Sequence, residues 1–192
     1  DMMKAIMAFP LLMLFILSGC KNEGDGMATK DITLKTDDNI DIRASYYPGN
    51  NDGVILLHML PSDRHEWKGF ASRLNKLGYD VIAIDYRWQS NKNALHKDAV
   101  LDVKAARDFL NKSRIFVMGS SIGANIALNY AVTDENVAGI VLLSPGENYR
   151  GVETFNSMKQ YDRAVYIVAS EDDLQSINAS RQLYQLAKGE KE

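Results

Sequence analysis

Five short segments of this chain are apolar at nearly every position: Val54–Leu57, Val81–Ile84, Ile115–Met118, Val137–Leu143 and Val165–Ala169. A strand points successive side chains to opposite faces, so a run without polar positions is a strand covered on both sides. A sheet layered between helices satisfies five such strands at once. Helical segments fall between them, at Trp67–Leu77, Ala94–Leu110, Ile122–Ala131 and Ile177–Ala187. In the second, Val100, Leu101, Val103, Ala105 and Leu110 build an apolar stripe at helical spacing, and Gly78 stops the first. Ahead of all of these, Ile32–Thr36 and Ile40–Tyr46 alternate apolar and polar residues around Asp37-Asp38-Asn39, a hairpin pattern. The expected fold is a doubly wound, mostly parallel α/β sheet led by an antiparallel hairpin.

The 192 residues, 46% of them apolar, suit one domain with one sizeable core. Twenty-two basic residues against 25 acidic leave a net charge of −3 with no basic stripe, which argues against a nucleic-acid partner. Cys20 is the only cysteine, so neither an internal disulfide nor a thiolate metal site is available. His58, His65 and His96 lack metal-ligand spacing. No metal and no organic cofactor are expected.

Lys4 precedes an apolar run from Ala5 to Leu17, broken only by Pro10. That run falls short of the roughly 20 residues needed to span a bilayer and has the parts of a secretory signal. Leu17-Ser18-Gly19-Cys20 resembles the lipobox of bacterial lipoproteins. The resemblance implies cleavage before Cys20, lipidation of its sulfur, and a place on a membrane surface of the bacterial cell envelope. Residues 21–29 are polar, contain glycine and read as a flexible tether. The expected organisation is a signal peptide at 1–19, the lipidated cysteine and tether at 20–30, and one domain at 31–192.

Gly119-Ser120-Ser121-Ile122-Gly123 lies between a buried strand and a helix. A serine on so sharp a turn adopts a strained backbone, and its neighbours two residues away must lack side chains. The helix then aims its dipole and free N–H groups at an oxygen where negative charge develops. The plain alternative is a tight turn with an ordinary exposed serine.

With this motif, His58-Met59 after one strand, Asp85-Tyr86-Arg87 after the next and Ser144-Pro145-Gly146 further on, residues 32–192 resemble the α/β-hydrolase family. Dienelactone-hydrolase-like and esterase members carry similar steps. The resemblance implies Ser121 as nucleophile, with the backbone N–H groups of Met59 and Ile122 as the oxyanion hole. His58 then shapes its loop and is not the base. The triad acid follows the strand at Val165–Ala169, where Ser170-Glu171-Asp172-Asp173 stands and Ser170 replaces the family's usual glycine. Asp173 falls on the acid position; Asp172 and Glu147 are alternatives, and a solvated loop capping the next helix is the structural one.

A triad histidine is expected after the acid, and none occurs among residues 174–192. His65 is a poor substitute, and His96 reads as a surface helix residue. The chain starts at Asp1 and stops in Lys-Gly-Glu-Lys-Glu, like a piece of a longer frame. The catalytic histidine is therefore expected beyond Glu192, with the last strand and helix. By the same reasoning Val165–Ala169 becomes an unpaired edge, and the 192-residue piece is expected to be poorly soluble and nearly inactive.

The short interval between Leu143 and Val165 leaves no room for a helical cap, so an open site for small acyl esters is expected. Tyr149, Arg150 and Trp88 are candidates for its rim. Three readings remain open: an esterase, a peptidase or amidase on the same fold, and a non-catalytic surface binding module.

Overall fold

The computed structural model describes residues 29–192, so the signal-like segment and Cys20 lie outside the described residues. Nine strands form: β1 (Lys30–Lys35), β2 (Asp41–Tyr47), β3 (Gly53–Leu57), β4 (Asp80–Ile84), β5 (Ile115–Ser120), β6 (Val137–Leu143), β7 (Asn148–Tyr149), β8 (Val152–Glu153) and β9 (Ala164–Val168). Five helices join them: α1 (Lys68–Lys76), α2 (Val100–Leu110), α3 (Ile122–Ala131), α4 (Phe155–Met158) and α5 (Leu174–Leu186). The main sheet runs β1-β2-β4-β3-β5-β6-β9. β1, β2 and β4 pair antiparallel, and every later pair is parallel. Asn39 turns the leading hairpin in a left-handed conformation, φ 65°, which asparagine tolerates.

Every residue of β3, β4 and β5 is buried, as strands apolar on both faces must be. Their alternation sorts the core into two layers. Ile55, Leu57, Ile82, Ile84 and Val117 face Val103 and Ala106 of α2 and Ile126 of α3. Val54, Leu56, Val81, Ala83 and Phe116 face Trp67, Ala71 and Leu74 around α1. Each such aliphatic side chain contributes about 1.5–3 kcal/mol when fully buried. The helix after the elbow, α3, is buried along its whole length except at Asn129.

Three features depart from or add to these expectations. First, Ala94–Ala99 is not part of the second helix. It closes through i→i+3 bonds (Ala94 N–H to Asn91 O, Asp98 N–H to Leu95 O) and ends in a 3₁₀ turn at His96–Ala99. His96 is half-buried there and lies 4.5 Å from the Trp88 ring. Second, the stretch after β6 is ordered into the β7–β8 hairpin and α4, which pack on α3.

Third, β9 is not a bare edge. Val165 and Ile167 donate their N–H groups to Glu190 and Glu192 carbonyls at 2.8 and 2.9 Å, and Glu192 N–H returns a bond to Val165 at 3.1 Å. The pairing is parallel. Gly189 makes the return possible: a Cβ there would lie 2.3 Å from the Arg163 carbonyl oxygen.

Two buried arginines tie the loops to this frame. Arg64 donates from its backbone and guanidinium to Asp85, at 2.9 and 2.8 Å. Arg87 donates Nε and backbone N–H to Asp102, both at 2.9 Å, and its terminal nitrogens to Asp38 at 2.8 and 3.1 Å. The Asp102 side chain is wholly buried, and that burial holds its carboxyl up at about 6 although Arg87 opposes the shift.

Arg87→Ala leaves that carboxylate without its guanidinium and should cost about 3–5 kcal/mol in urea unfolding at neutral pH. A carboxyl whose folded pKa is raised favours folding when protonated, so the penalty should shrink as pH falls through 6. A pH-independent loss would show that Asp102 is not the group left stranded.

Candidate active site

Ser121 sits where β5 hands over to α3, with φ 52° and ψ −119°, a left-handed backbone that is strained for a residue with a Cβ. The glycines around it are required by backbone contact. A Cβ on Gly119 would meet the Gly123 carbonyl oxygen at 2.1 Å. A Cβ on Gly123 would meet the Leu57 and His58 oxygens at 2.4 and 2.8 Å. Ser121 N–H donates to Leu143 O at 2.8 Å, so the elbow is fixed to β6 as well. Ser121 is half-buried, and among the described residues its hydroxyl makes no hydrogen bond. As the first residue of α3, Ile122 has no intrahelical acceptor for its N–H.

The loop after β3 carries the other expected donor. Met59 N–H lies 3.3 Å from Glu66 Oε2, and Ser120 Oγ–H donates to Glu66 Oε1 at 2.8 Å. Glu66 is a functional candidate that sequence reasoning missed, because nothing in spacing foretells a contact across 54 positions. His58 is fully buried, with Nδ1–H donating to the Met59 carbonyl at 2.7 Å. Burial pushes its pKa down, so the ring is neutral. Its Nε2 has no partner among the described residues, and the ring packs at a tilt against Tyr86, whose hydroxyl donates to His58 O at 2.9 Å. His58 therefore braces the loop. His65 is exposed and paired with Asp63 at 3.0 Å.

Asp173 N-caps α5, accepting from Ser176 N–H at 3.1 Å, and the Ser176 hydroxyl together with this N–H holds its carboxyl below the usual range. Asp172 and Glu147 are exposed. Ser176 is fully buried: its hydroxyl donates to Ser144 O at 3.3 Å and lies 3.1 Å from Tyr149 Oη. Tyr149 thus anchors the start of α5 through Ser176. Arg150 occupies the left-handed turn between β7 and β8, φ 53°, and Trp88 stacks on Tyr86 at 4.2 Å. Asn125, also unforeseen, donates to Val152 O at 2.7 Å and accepts from Gly146 N–H at 3.0 Å, clamping the segment after β6 to α3.

This arrangement can present a hydroxyl to a carbonyl carbon with backbone donors beside it. Among the described residues no three or more histidine, cysteine or acidic side chains group as metal ligands. No helix among them is long and apolar enough to cross a membrane.

Gly123→Ala should force α3 off the Leu57 and His58 carbonyls and cost about 1–3 kcal/mol. Gly69→Ala, on α1 with open space around it, should stabilise the protein by up to about 1 kcal/mol. Equal effects of the two substitutions on thermal unfolding would contradict the contact geometry.

Solved structures share this fold at low sequence identity. An esterase of Pyrococcus furiosus is 18% identical and superimposes with a TM-score of 0.68, covering 91% of this chain and 88% of its own. A predicted CIB-like hydrolase of Thermoplasma acidophilum is 18% identical with a TM-score of 0.71, covering 87% and 86%. An N-formylmaleamic acid deformylase of Pseudomonas putida S16 is 17% identical with a TM-score of 0.67, covering 85% and 91%. These likenesses establish architecture alone. No curated protein matches the chain by sequence. The family model described as the alpha/beta hydrolase fold matches residues 53–173, from the first strand of the parallel sheet to the N-cap of α5, and the chain belongs to that family.

Proposed function

We propose that this protein is a serine hydrolase that cleaves carboxylic esters through an acyl-enzyme on Ser121. The observation that carries the reading is the strained Ser121 backbone held between two glycines whose side-chain space is filled by neighbouring backbone. Such strain persists only where the surroundings over-determine it, and it clusters at active sites.

In this mechanism Ser121 Oγ attacks the acyl carbon while a histidine takes its proton. The tetrahedral oxyanion is held by Ile122 N–H and Met59 N–H, each donor worth about 2.7–4 kcal/mol in the transition state. The histidine returns the proton to the departing alcohol, and water releases the acid by the reverse sequence. Asp173 orients the histidine and stabilises its cation. Residues 174–192 contain no histidine, so the base is not among them. Residues 190–192 run parallel beside β9, a direction that leads to the rim holding Ser121 and Asp173. Cys20 carries the lipid, and the tether holds the domain at a membrane surface of the bacterial envelope. An amide substrate would use the same elbow.

In the full-length protein, Ser121→Ala should remove fluorophosphonate labelling and lower p-nitrophenyl acetate turnover by about 10⁴ or more. Asp173→Asn should lower turnover by roughly 10⁴ with labelling slowed, since the histidine is then held in the wrong tautomer. Full activity in Ser121→Ala defeats the reading and favours a binding module; loss in Asp172→Asn or Glu147→Gln alone moves the acid. Aminoacyl anilides turned over faster than esters would make the enzyme an amidase. Separately, Cys20→Ser should abolish palmitate incorporation in bacterial cells and release the protein from membranes; unchanged membrane retention would overturn the lipid anchor.

A further inference from the structure

Glu66 carries a charge that the catalytic scheme does not use. It lies on the 3₁₀ turn Arg64–Trp67, whose N-cap Asp63 accepts from His65 N–H at 2.8 Å. The turn is fastened from below, because Arg64 is buried on Asp85 and Ser45. On this fixed base the Glu66 side chain is exposed and reaches two groups of the proposed site. Oε2 lies on Met59 N–H at 3.3 Å, and Oε1 accepts from the hydroxyl of Ser120, the residue before the nucleophile.

Both partners are neutral. Among the described residues no ion pair reaches Glu66. The basic side chains on its own turn face elsewhere, Arg64 toward Asp85 and His65 toward Asp63. His58 is neutral and turned onto the Met59 carbonyl. An uncompensated carboxylate therefore occupies a donor that a reacting carbonyl needs, and it must leave Met59 N–H before an oxyanion can form there.

We infer that Glu66 is the specificity-determining residue of this site and selects substrates carrying a cationic group near the scissile carbonyl. The inference rests on the hydrolase reading above. A cationic group beside the acyl carbon gives the carboxylate a charged partner in exchange for a neutral N–H, freeing the donor as the substrate enters. A neutral substrate must displace the carboxylate without that compensation. An anionic substrate meets like charge at close range, which is unfavourable.

The test compares kcat/KM on two matched pairs, using the full-length protein. The alcohol-side pair is acetylcholine and 3,3-dimethylbutyl acetate. The acyl-side pair is p-nitrophenyl 4-trimethylammoniobutyrate and p-nitrophenyl 5,5-dimethylhexanoate. At low salt the cation of one pair should be preferred roughly five- to tenfold, and the preference should shrink at high salt. Glu66→Gln should bring that ratio close to one. Glu66→Ala should do the same and also raise kcat/KM for the neutral ester, because Met59 N–H is then unoccupied. A wild-type ratio near one in both pairs, or a preference that survives Glu66→Gln, overturns the inference. A neutral ester hydrolysed in a Ser121-dependent way with no charge preference sinks this inference alone. No Ser121-dependent hydrolysis of any of the four sinks the hydrolase reading with it.

Discussion

The close approach of α3 to the end of β3 is the constraint on which the rest of the site depends. Gly123 lies against the carbonyl oxygens of Leu57 and His58 so tightly that no side chain fits between them. This contact brings the first N–H of α3 and the loop carrying Met59 to the same corner of the sheet. The turn closes a second time where Gly119 meets the Gly123 carbonyl, and a third time where Ser121 N–H bonds Leu143 O. Three parallel strands therefore end at one level around one serine. The elbow is a backbone-to-backbone joint, which is why it is stiff enough to keep a residue with a Cβ in left-handed space.

The loop carrying Asp173 takes its position from the end of β6. Leu143 O receives the elbow, and the next residue, Ser144, sends its N–H to Val168 O at 2.7 Å and offers its carbonyl to Ser176. Ser144 is itself left-handed, φ 48°. Ser176 N–H then caps onto Asp173, and Tyr149 braces the Ser176 hydroxyl. Ser121 and Asp173 are thus referred to two consecutive residues, the last of β6 and the one that follows it, and a shift of either loop would have to pass through that point. The cap on Asp173 does not exhaust its carboxylate: Oδ1 accepts from the helix, and an ionised carboxylate has further acceptor positions on both oxygens.

What the chain disclosed beforehand followed from local periodicity. Segments apolar on both faces announced β3 to β6, and the elbow glycines announced a contact that has no side chain in it. The late start of α2 was not legible, because Ala94–Ala99 fits a helical pattern while its bonds close one residue earlier. The β7–β8 hairpin was not legible either. Its strands are two residues long, and it is held by Asn125 and Thr154 from outside its own sequence. Glu66 escaped for the same reason, since its role exists only once β3, the 3₁₀ turn and β5 are side by side. Cooperation among distant residues leaves no periodic trace.

The buried arginines show why charge appears inside a frame this apolar. Well-packed hydrophobic residues in place of Arg64 with Asp85, or Arg87 with Asp102, would often be as stabilising, because desolvation offsets most of the Coulombic attraction. Apolar contacts, however, have no direction. Asp85 and Arg87 follow β4 and serve different elements: both carboxylate oxygens of Asp85 accept from Arg64, from its backbone N–H and its guanidinium, while Arg87 gives its own backbone N–H and Nε to Asp102. Asp85 fixes the turn that bears Glu66, and Arg87 fixes α2 to Asp38 of the leading hairpin. A guanidinium presents its donors in a rigid fork, so such a pair fixes orientation where a leucine would fix only proximity. The placement of an exposed carboxylate beside the elbow is therefore a consequence of ionic pairs buried beneath it.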